Sequence, residues 1–372
     1  MKIILIGPTY PYRGGIAHHT TLLCLTLRKK HDVKFISFKR QYPQFLFPGK
    51  SDRDTSRNPL KSDSVDYLID SLNPLTWFKA YNVIKKYDPE MIIMPWWVVF
   101  WMPQYMTLVT LIKKSLPACK IVFICHNTFE HESHFLKNLA SKLVLSKADT
   151  LVTQSQEETG KLRQLIRYNT KIVTAFHPTY ADLKDRIFDK EESLRRLNLK
   201  GHVLLFFGFV RDYKGLEVLL DAMPYIRKKR DVTLLIVGEF WNDKQKYLDK
   251  INDYKLNNNV RIVDKYIPNE EVGIYFTASD LVVLPYISVS GSGISQLAYG
   301  FDRPVIGSRV GALSEVVKDG ENGRLVTSGN SETLAEVIVE SLEPETLKRL
   351  SQNAQKTKEA FSWQKFADSI LE

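Results

Sequence analysis

The sequence predicts an α/β protein built from two doubly wound, Rossmann-like domains. Three observations predict it. Short apolar runs rich in Ile, Val and Phe recur along the 372 residues and alternate with helix-like segments. The runs lack strict polar–apolar alternation, so both faces of each strand are covered, as in a parallel sheet. The β–α–β–α order occurs twice over, and a chain of this length holds about two domains.

In the first half the strand runs are KIILIG, VKFISF, MIIMPWW, KIVFICH, TLVTQS and KIVTAF. In the second they are VLLFFGFV, TLLIVGE, VRIVDKY, LVVLPY, PVIGS and GRLVT. Between them, residues 181–200 (ADLKDRIFDKEESLRRLNLK) are charged and hold no strand run. A short helix fits there, outside either core. The expected domains are 1–180 and 200–358. One long polar stretch, Arg40 to Asp63, interrupts the first half. Loops of this length are functional or mobile when they occur inside a compact domain.

Composition narrows the function. The formal charge is +10, from 52 basic and 42 acidic residues. That excess suits an anionic partner: nucleotide phosphates, an anionic acceptor or the inner membrane surface. No dense basic stripe or nucleic-acid motif is present, which argues against nucleic acid. Cys24, Cys119 and Cys125 lie in apolar runs at irregular spacing, which suits a reducing compartment and offers no zinc pattern. The start, MKIILIGPTY, has too short an apolar run for a signal peptide. No stretch reaches the roughly 20 apolar residues of a membrane span. A cytoplasmic protein is expected, with peripheral contact at the inner membrane face left open.

The first strand runs into GPTYPYRGGIAHHT. Gly14 and Gly15 at a strand-to-helix turn let a ligand approach backbone and helix start. The spacing is not G-x-G-x-x-G, so a nicotinamide site is not indicated. A plain structural turn is the alternative. The second half opens with a strand and then GFVRDYKGLEVLLDAM. Arg211 and Lys214 sit just past the strand, at the carboxyl edge where such sheets bind ligands. Arg grips two phosphate oxygens at once and Lys adds a point charge. Solvated surface charges are the alternative.

Next comes LPYISVSGSGISQLAYGFDRPVIGSRVGALSEVV. A small-residue loop, Ser288 to Gly293, leads into a helix expected to start near Ile294. Its free amides would attract phosphate, and Ser290 and Ser292 would donate further hydrogen bonds. A second turn, Gly311-Ala312-Leu313, follows the next strand. The run Trp96 to Trp101 reads as core, or as a wall for an apolar acceptor. Histidines are scattered. His131 and His134 beside Glu130 and Glu132 lack H-E-x-x-H, and no metal is expected.

Together, GGIA, R-x-x-K-G and GSGISQLAYGFDRPVIGSRVGALSEVV, in this order, resemble glycosyltransferase family 4, retaining enzymes of the GT-B fold. HNTFEHE, starting at His126, resembles that family's HN-x-x-x-HE stretch. The resemblance implies two domains facing a central cleft. It implies that Arg211, Lys214 and the loop Ser290, Gly291, Ser292 and Gly293 bind a donor diphosphate. Gly14 and Gly15 would admit the leaving phosphate and acceptor, and His126 would contact the reacting sugar as the catalytic residue. Glu239, Tyr266 and Ile267 would border the base, and Glu315 would point toward the cleft. Residues 360–372 would cross back onto the first domain, anchored by Trp363.

One departure stands out. Many members carry E-x7-E around the small-residue loop, whereas here Ser288 and Gln296 stand near those places, or Val289 and Leu297 in a register shifted by one. Both acids are missing. The implied activity is transfer of a hexose-type sugar from a UDP-, GDP- or other nucleotide sugar to a saccharide or lipid-linked acceptor, in surface polysaccharide or glycolipid synthesis. No cofactor beyond the donor is implied. A nucleotide-sugar epimerase on the same fold, and a non-catalytic scaffold suggested by the missing acids, are the alternatives.

Overall fold

KIILI, the first apolar run, becomes β1 (Lys2–Ile6), the third strand of a seven-stranded sheet ordered β3-β2-β1-β4-β5-β6-β7. The other strands are β2 (Asp32–Arg40), β3 (Val65–Asp70), β4 (Met91–Trp96), β5 (Lys120–Cys125), β6 (Thr150–Thr153) and β7 (Lys171–Thr174). Every pairing is parallel. Crossovers run through α1 (Gly15–Leu27), α2 (Pro74–Tyr87), α3 (Met102–Ser115), α4 (Phe135–Leu145) and α5 (Gln156–Leu165). The computed structural model describes residues 1–43, 51–127, 135–166, 170–180, 188–241, 243–289 and 291–372. The glutamates and histidines Glu130, His131, Glu132 and His134, and Ser290, lie outside the described residues.

By contacts the chain divides into two units. Unit 1 comprises Met1–Thr55, Pro59–Phe176 and Trp363–Glu372; unit 2 comprises Ser56–Asn58 and His177–Ser362. Unit 2 opens with α6 (Lys190–Leu197) and β8 (His202–Phe207). It continues through α7 (Leu216–Lys229), β9 (Val232–Val237), α8 (Gln245–Asp253), β10 (Val260–Val263), α9 (Asn269–Ala278), β11 (Leu281–Leu284) and α10 (Gly293–Gly300). It closes with β12 (Val305–Ser308), α11 (Leu313–Val316), β13 (Gly323–Val326), α12 (Ser331–Ser341) and α13 (Pro344–Ala360). Its sheet is also wholly parallel, in the order β10-β9-β8-β11-β12-β13.

Both sheets reverse direction of winding beside their first strand. The gaps between β1 and β4, and between β8 and β11, are the topological switch points where open α/β sheets bind ligands. The sheet interiors are fully buried aliphatic residues, as the unbroken apolar runs require.

Three sequence expectations change. VDYLID was not expected as a strand, yet it forms β3 at the sheet edge, where one half-exposed side removes the need for an apolar run. The described part of the charged stretch, residues 188–200, contains α6, which packs on α9 in unit 2 with Ser193 buried, so that helix belongs to the unit 2 core. Residues 51–63 of the long polar stretch are tied down. Arg13 N donates to the Asp52 carbonyl (2.9 Å), Asp54 N to that of Pro11 (2.9 Å), and Arg28 Nη1 to Ser62 Oγ (2.8 Å).

The aromatic run divides. Trp96 and Trp101 are buried core, whereas Trp97 and Phe100 stay half-buried beside Tyr42, whose hydroxyl accepts from Trp97 Nε1 at 2.8 Å. The segment after unit 2 returns as α14 (Trp363–Leu371) and packs on α1.

Candidate functional site

In unit 2 the site grows from the loop after β8. Arg211 has extended backbone, Asp212–Lys214 form one tight turn, and Gly215 (φ +67°) starts α7. A Cβ on Gly215 would overlap the Pro285 carbonyl, so only glycine lets this turn press against the end of β11. Ile287 N donates to the Tyr213 carbonyl at 2.7 Å and ties the two loops together. Gly311, in the turn after β12, is pressed on the Val289 carbonyl in the same way. The loops after β8, β11 and β12 therefore meet at the switch point.

The two cations fare differently. Lys214 is buried, with Nζ over Gly208 and 5.7 Å from the Tyr286 ring centroid. Burial first, and the neighbouring Arg211 charge second, pull its pKa down to about 8. Arg211 is exposed, its guanidinium 5.1 Å from the Tyr213 ring and 4.9 Å from the Trp241 ring. Such stacking fixes its plane. Among the described residues neither cation meets a carboxylate. The adjacent Asp212 is held by Lys246 at 2.8 Å. Two like charges, one of them desolvated, favour an anion beside them on electrostatic grounds.

The α10 helix begins beside it, at Gly293, one residue before the expected start. Ser292 was expected to donate to a ligand. Its hydroxyl caps α10, accepting from Ser295 N at 3.2 Å, and that role uses a lone pair rather than the O–H. Among the described residues the Gly293 and Ile294 amides donate to no protein acceptor, so they remain for an anion. Gly291 precedes them. Gln296 is buried, and neither atom of its amide has a hydrogen-bond partner among the described residues. An unpaired buried amide costs about 1–3 kcal/mol, which a bound polar ligand would recover.

Glu239 is buried just past β9, and its carbonyl accepts from Val210 N at 2.9 Å. Ile267 is buried and Tyr266 half-buried after β10. Glu315 is half-buried in α11. The sequence reading missed one pair. His177 Nδ1 donates to the Pro178 carbonyl (2.8 Å), and Nε2 accepts from the Tyr180 hydroxyl (3.2 Å). Both rings pack against Gly293, within 3.9 Å of where its Cβ would be. Burial lowers the His177 pKa to about 4, so it is neutral at pH 7. No sequence signal pointed to this contact, because His177 and Tyr180 meet Gly293 only through the fold.

In unit 1 the β1–α1 turn carries Gly14 (φ +107°) and Gly15, and a Cβ on either would meet nothing within 4 Å. The space above the α1 start is open. His126 follows β5, and its backbone N–H donates to the Trp96 carbonyl at 2.8 Å. Its ring stands edge-on to His19 at 4.6 Å. His19 is buried, 3.3 Å from Gln154 Nε2, with the Trp363 and Phe366 rings of α14 at 5.0 and 5.1 Å. His126 thus stands at the strand end in a histidine–aromatic cluster. Among the described residues no three His, Cys, Asp or Glu side chains gather as a metal cage, and no helix is long and apolar enough to cross a membrane.

Comparison with known proteins agrees with this architecture. Residues 201–344 match the family described as Glycosyl transferases group 1. D-inositol 3-phosphate glycosyltransferase of Corynebacterium efficiens is 24% identical over 239 residues, 61% of this chain and 56% of that protein. An uncharacterized glycosyltransferase of Methanocaldococcus jannaschii is 29% identical over 164 residues, 43% of this chain and 44% of its own. The chain thus spans about half the length of these relatives. Among solved structures, a glycosyltransferase from Rickettsia africae superposes with TM-score 0.74 at 16% identity, covering 100% of this chain and 96% of that one. The Anabaena protein HepE, solved with UDP and glucose, gives 0.73 at 17% identity, covering 100% and 98%. The chain therefore has the GT-B fold, and its residues 201–344 are similar to the glycosyl transferases group 1.

Proposed function

We propose that this protein is a retaining glycosyltransferase that moves a hexose-type sugar from a nucleoside diphosphate sugar to a saccharide or lipid-linked acceptor. The single observation that carries the reading is Lys214: a buried ammonium without a carboxylate partner, beside Arg211 and the open amides of α10. That arrangement is costly unless an anion with several oxygens binds there. A diphosphate fits, since it offers one oxygen set to the Arg fork and another to the ammonium and amides.

The chemistry follows from charge. As the glycosidic C–O bond to the donor phosphate breaks, negative charge builds on the departing diphosphate. Fixed cations and helix-start amides stabilise that charge without reorganising, and they do so with no metal. In this reading the donor β-phosphate oxygen that leaves takes the acceptor hydroxyl's proton as the acceptor attacks the same face. Gln296 would hydrogen-bond the ribose or the sugar, a role glutamate fills elsewhere. Glu239, Tyr266, Ile267 and Glu315 would line the rest of the donor. In unit 1, Gly14 and Gly15 leave room for acceptor and phosphate, and His126 would contact the transferred sugar. The HepE structure with UDP and glucose supports the donor class by analogy of fold. Surface polysaccharide or glycolipid synthesis is the setting that suits a lipid-linked acceptor.

The test is a calorimetric panel of UDP-, GDP-, ADP- and dTDP-sugars, followed by slow hydrolysis assays that read the anomeric configuration of the released sugar. Binding of one nucleotide sugar with a retained anomer is expected. Absence of binding across the panel, or an inverted product, rejects the proposal.

A further inference from the structure

The helical layer formed by α2, α3 and α4 has an unusual charge pattern. α3 packs between α2 and α4, and all three share one core on the same face of the seven-stranded sheet. These helices carry Lys79, Lys85 and Lys86 on α2, Lys113 and Lys114 on α3, and Lys137 and Lys142 on α4. None of the three contains an Asp or Glu. Helices normally place acids in the first turn to complement the dipole. α6, α7, α9, α12 and α13 of unit 2 do so, whereas α2, α3 and α4, like α1, α8, α10 and α14, do not.

The lysines are also left open. Lys113 pairs with Asp149, but among the described residues Lys79, Lys85, Lys86, Lys114 and Lys142 meet no carboxylate. In unit 2 the lysines divide: Lys244, Lys246, Lys250 and Lys265 are each paired, whereas Lys228 and Lys229 meet no carboxylate among the described residues. The same layer exposes apolar side chains. Leu75 is 70% exposed and Phe78 47%, with Leu72 one turn before them. On α4, Leu139 and Leu143 are both exposed, four residues apart on one face. Apart from Leu25, every exposed Leu and Phe among the described residues lies on or beside α2 and α4.

From this we infer that the α2–α3–α4 face is a docking surface for an anionic lipid bilayer. The lysines complement anionic headgroups, and their flexible stems let the charges stay at headgroup level while leucine and phenylalanine tips enter the acyl boundary. Freedom from acids removes the repulsion that an anionic surface would otherwise meet. Lysines and exposed apolar tips are interspersed along the same helices, Leu75, Phe78 and Lys79 on α2 and Leu139, Lys142 and Leu143 on α4, as a headgroup–acyl boundary requires. The inference is independent of the donor chemistry proposed above, because it concerns unit 1 helices and needs no nucleotide.

The test is co-sedimentation of the full chain with phosphatidylcholine vesicles, with and without phosphatidylglycerol, at about 0.15 M salt. Binding to the anionic vesicles alone is expected. K85E/K86E and L75S/F78S should each lower partitioning about tenfold or more. The charge-matched pair K228E/K229E, exposed in the last turn of α7, should leave it unchanged. L139S/L143S gives a second apolar variant, and an unchanged far-UV circular dichroism spectrum and urea midpoint report intact folding of each variant. Absence of binding to anionic vesicles, equal loss in K228E/K229E, or full binding by both apolar variants would overturn the inference.

Discussion

Replacing Lys214 by methionine separates the cost of the anion site from its use. The folded environment holds the ammonium at a pKa of about 8, against 10.5 for an ordinary lysine, chiefly through burial. A gap of about 2.5 units corresponds to about 3 kcal/mol spent on keeping the charge folded. Lys214→Met retains a long flexible stem and removes the charge. Unit 2 should therefore become more stable by up to about 3 kcal/mol, raising its melting temperature by several degrees at about 2–4 °C per kcal/mol. UDP affinity should fall at least tenfold, the loss of a charge-assisted contact of about 1.5–3 kcal/mol. The pH dependence has a definite sign. Between pH 8 and 10.5 the unfolded wild-type chain holds a proton that the folded chain has released, so wild-type stability rises with pH there. The methionine advantage is thus full below pH 8 and gone by pH 10.5. Urea titrations across that range and UDP calorimetry at pH 7 read both effects. A destabilised variant, or one that binds UDP as the parent does, refutes the assignment of Lys214 as a buried phosphate ligand.

Further outcomes follow from neighbouring groups. In the parent protein, UDP binding should weaken as pH climbs above 8 and should take up a proton there, measurable by calorimetry in buffers of different ionisation heat; pH-independent binding from 7 to about 10 would contradict it. Arg211→Ala should cost about 1.5–3 kcal/mol of UDP affinity, yet shift unit 2 stability by no more than about 0.5 kcal/mol because the side chain is exposed. Buried neutral His177 makes stability fall with acid, since the unfolded chain binds a proton below pH 6.5 that the folded chain refuses until about pH 4. His177→Gln should remove most of that loss, about 3 kcal/mol across the window, in urea midpoints measured from pH 7 to about 4; an unchanged acid slope counts against a buried neutral ring.

What the sequence made legible depended on burial symmetry. Strands buried on both faces, such as β1 and β8, announce themselves as unbroken apolar runs. β3 did not, because an edge strand with one half-exposed side needs no such run. The cation motif was visible as spacing, but spacing assigns no depth. Lys214 goes inside because the turn before Gly215 is pressed on Pro285, while Arg211 three residues earlier stays out on Tyr213 and Trp241. That difference is tertiary. Ser292 was legible as a hydroxyl at a helix start, but its capping of the Ser295 amide needed coordinates. The missing acids were plain in the sequence, but the unpaired state of the Gln296 amide needed coordinates.

The return of α14 to unit 1 bears on how the protein is made. His19 is enclosed partly by Trp363 and Phe366, which lie beyond the whole of unit 2 in the chain. During synthesis, then, the unit that is translated first is not the unit that is finished first. The ribosome must deliver all of unit 2 before the residues that close over His19 emerge, so the nascent first unit waits with that histidine uncovered.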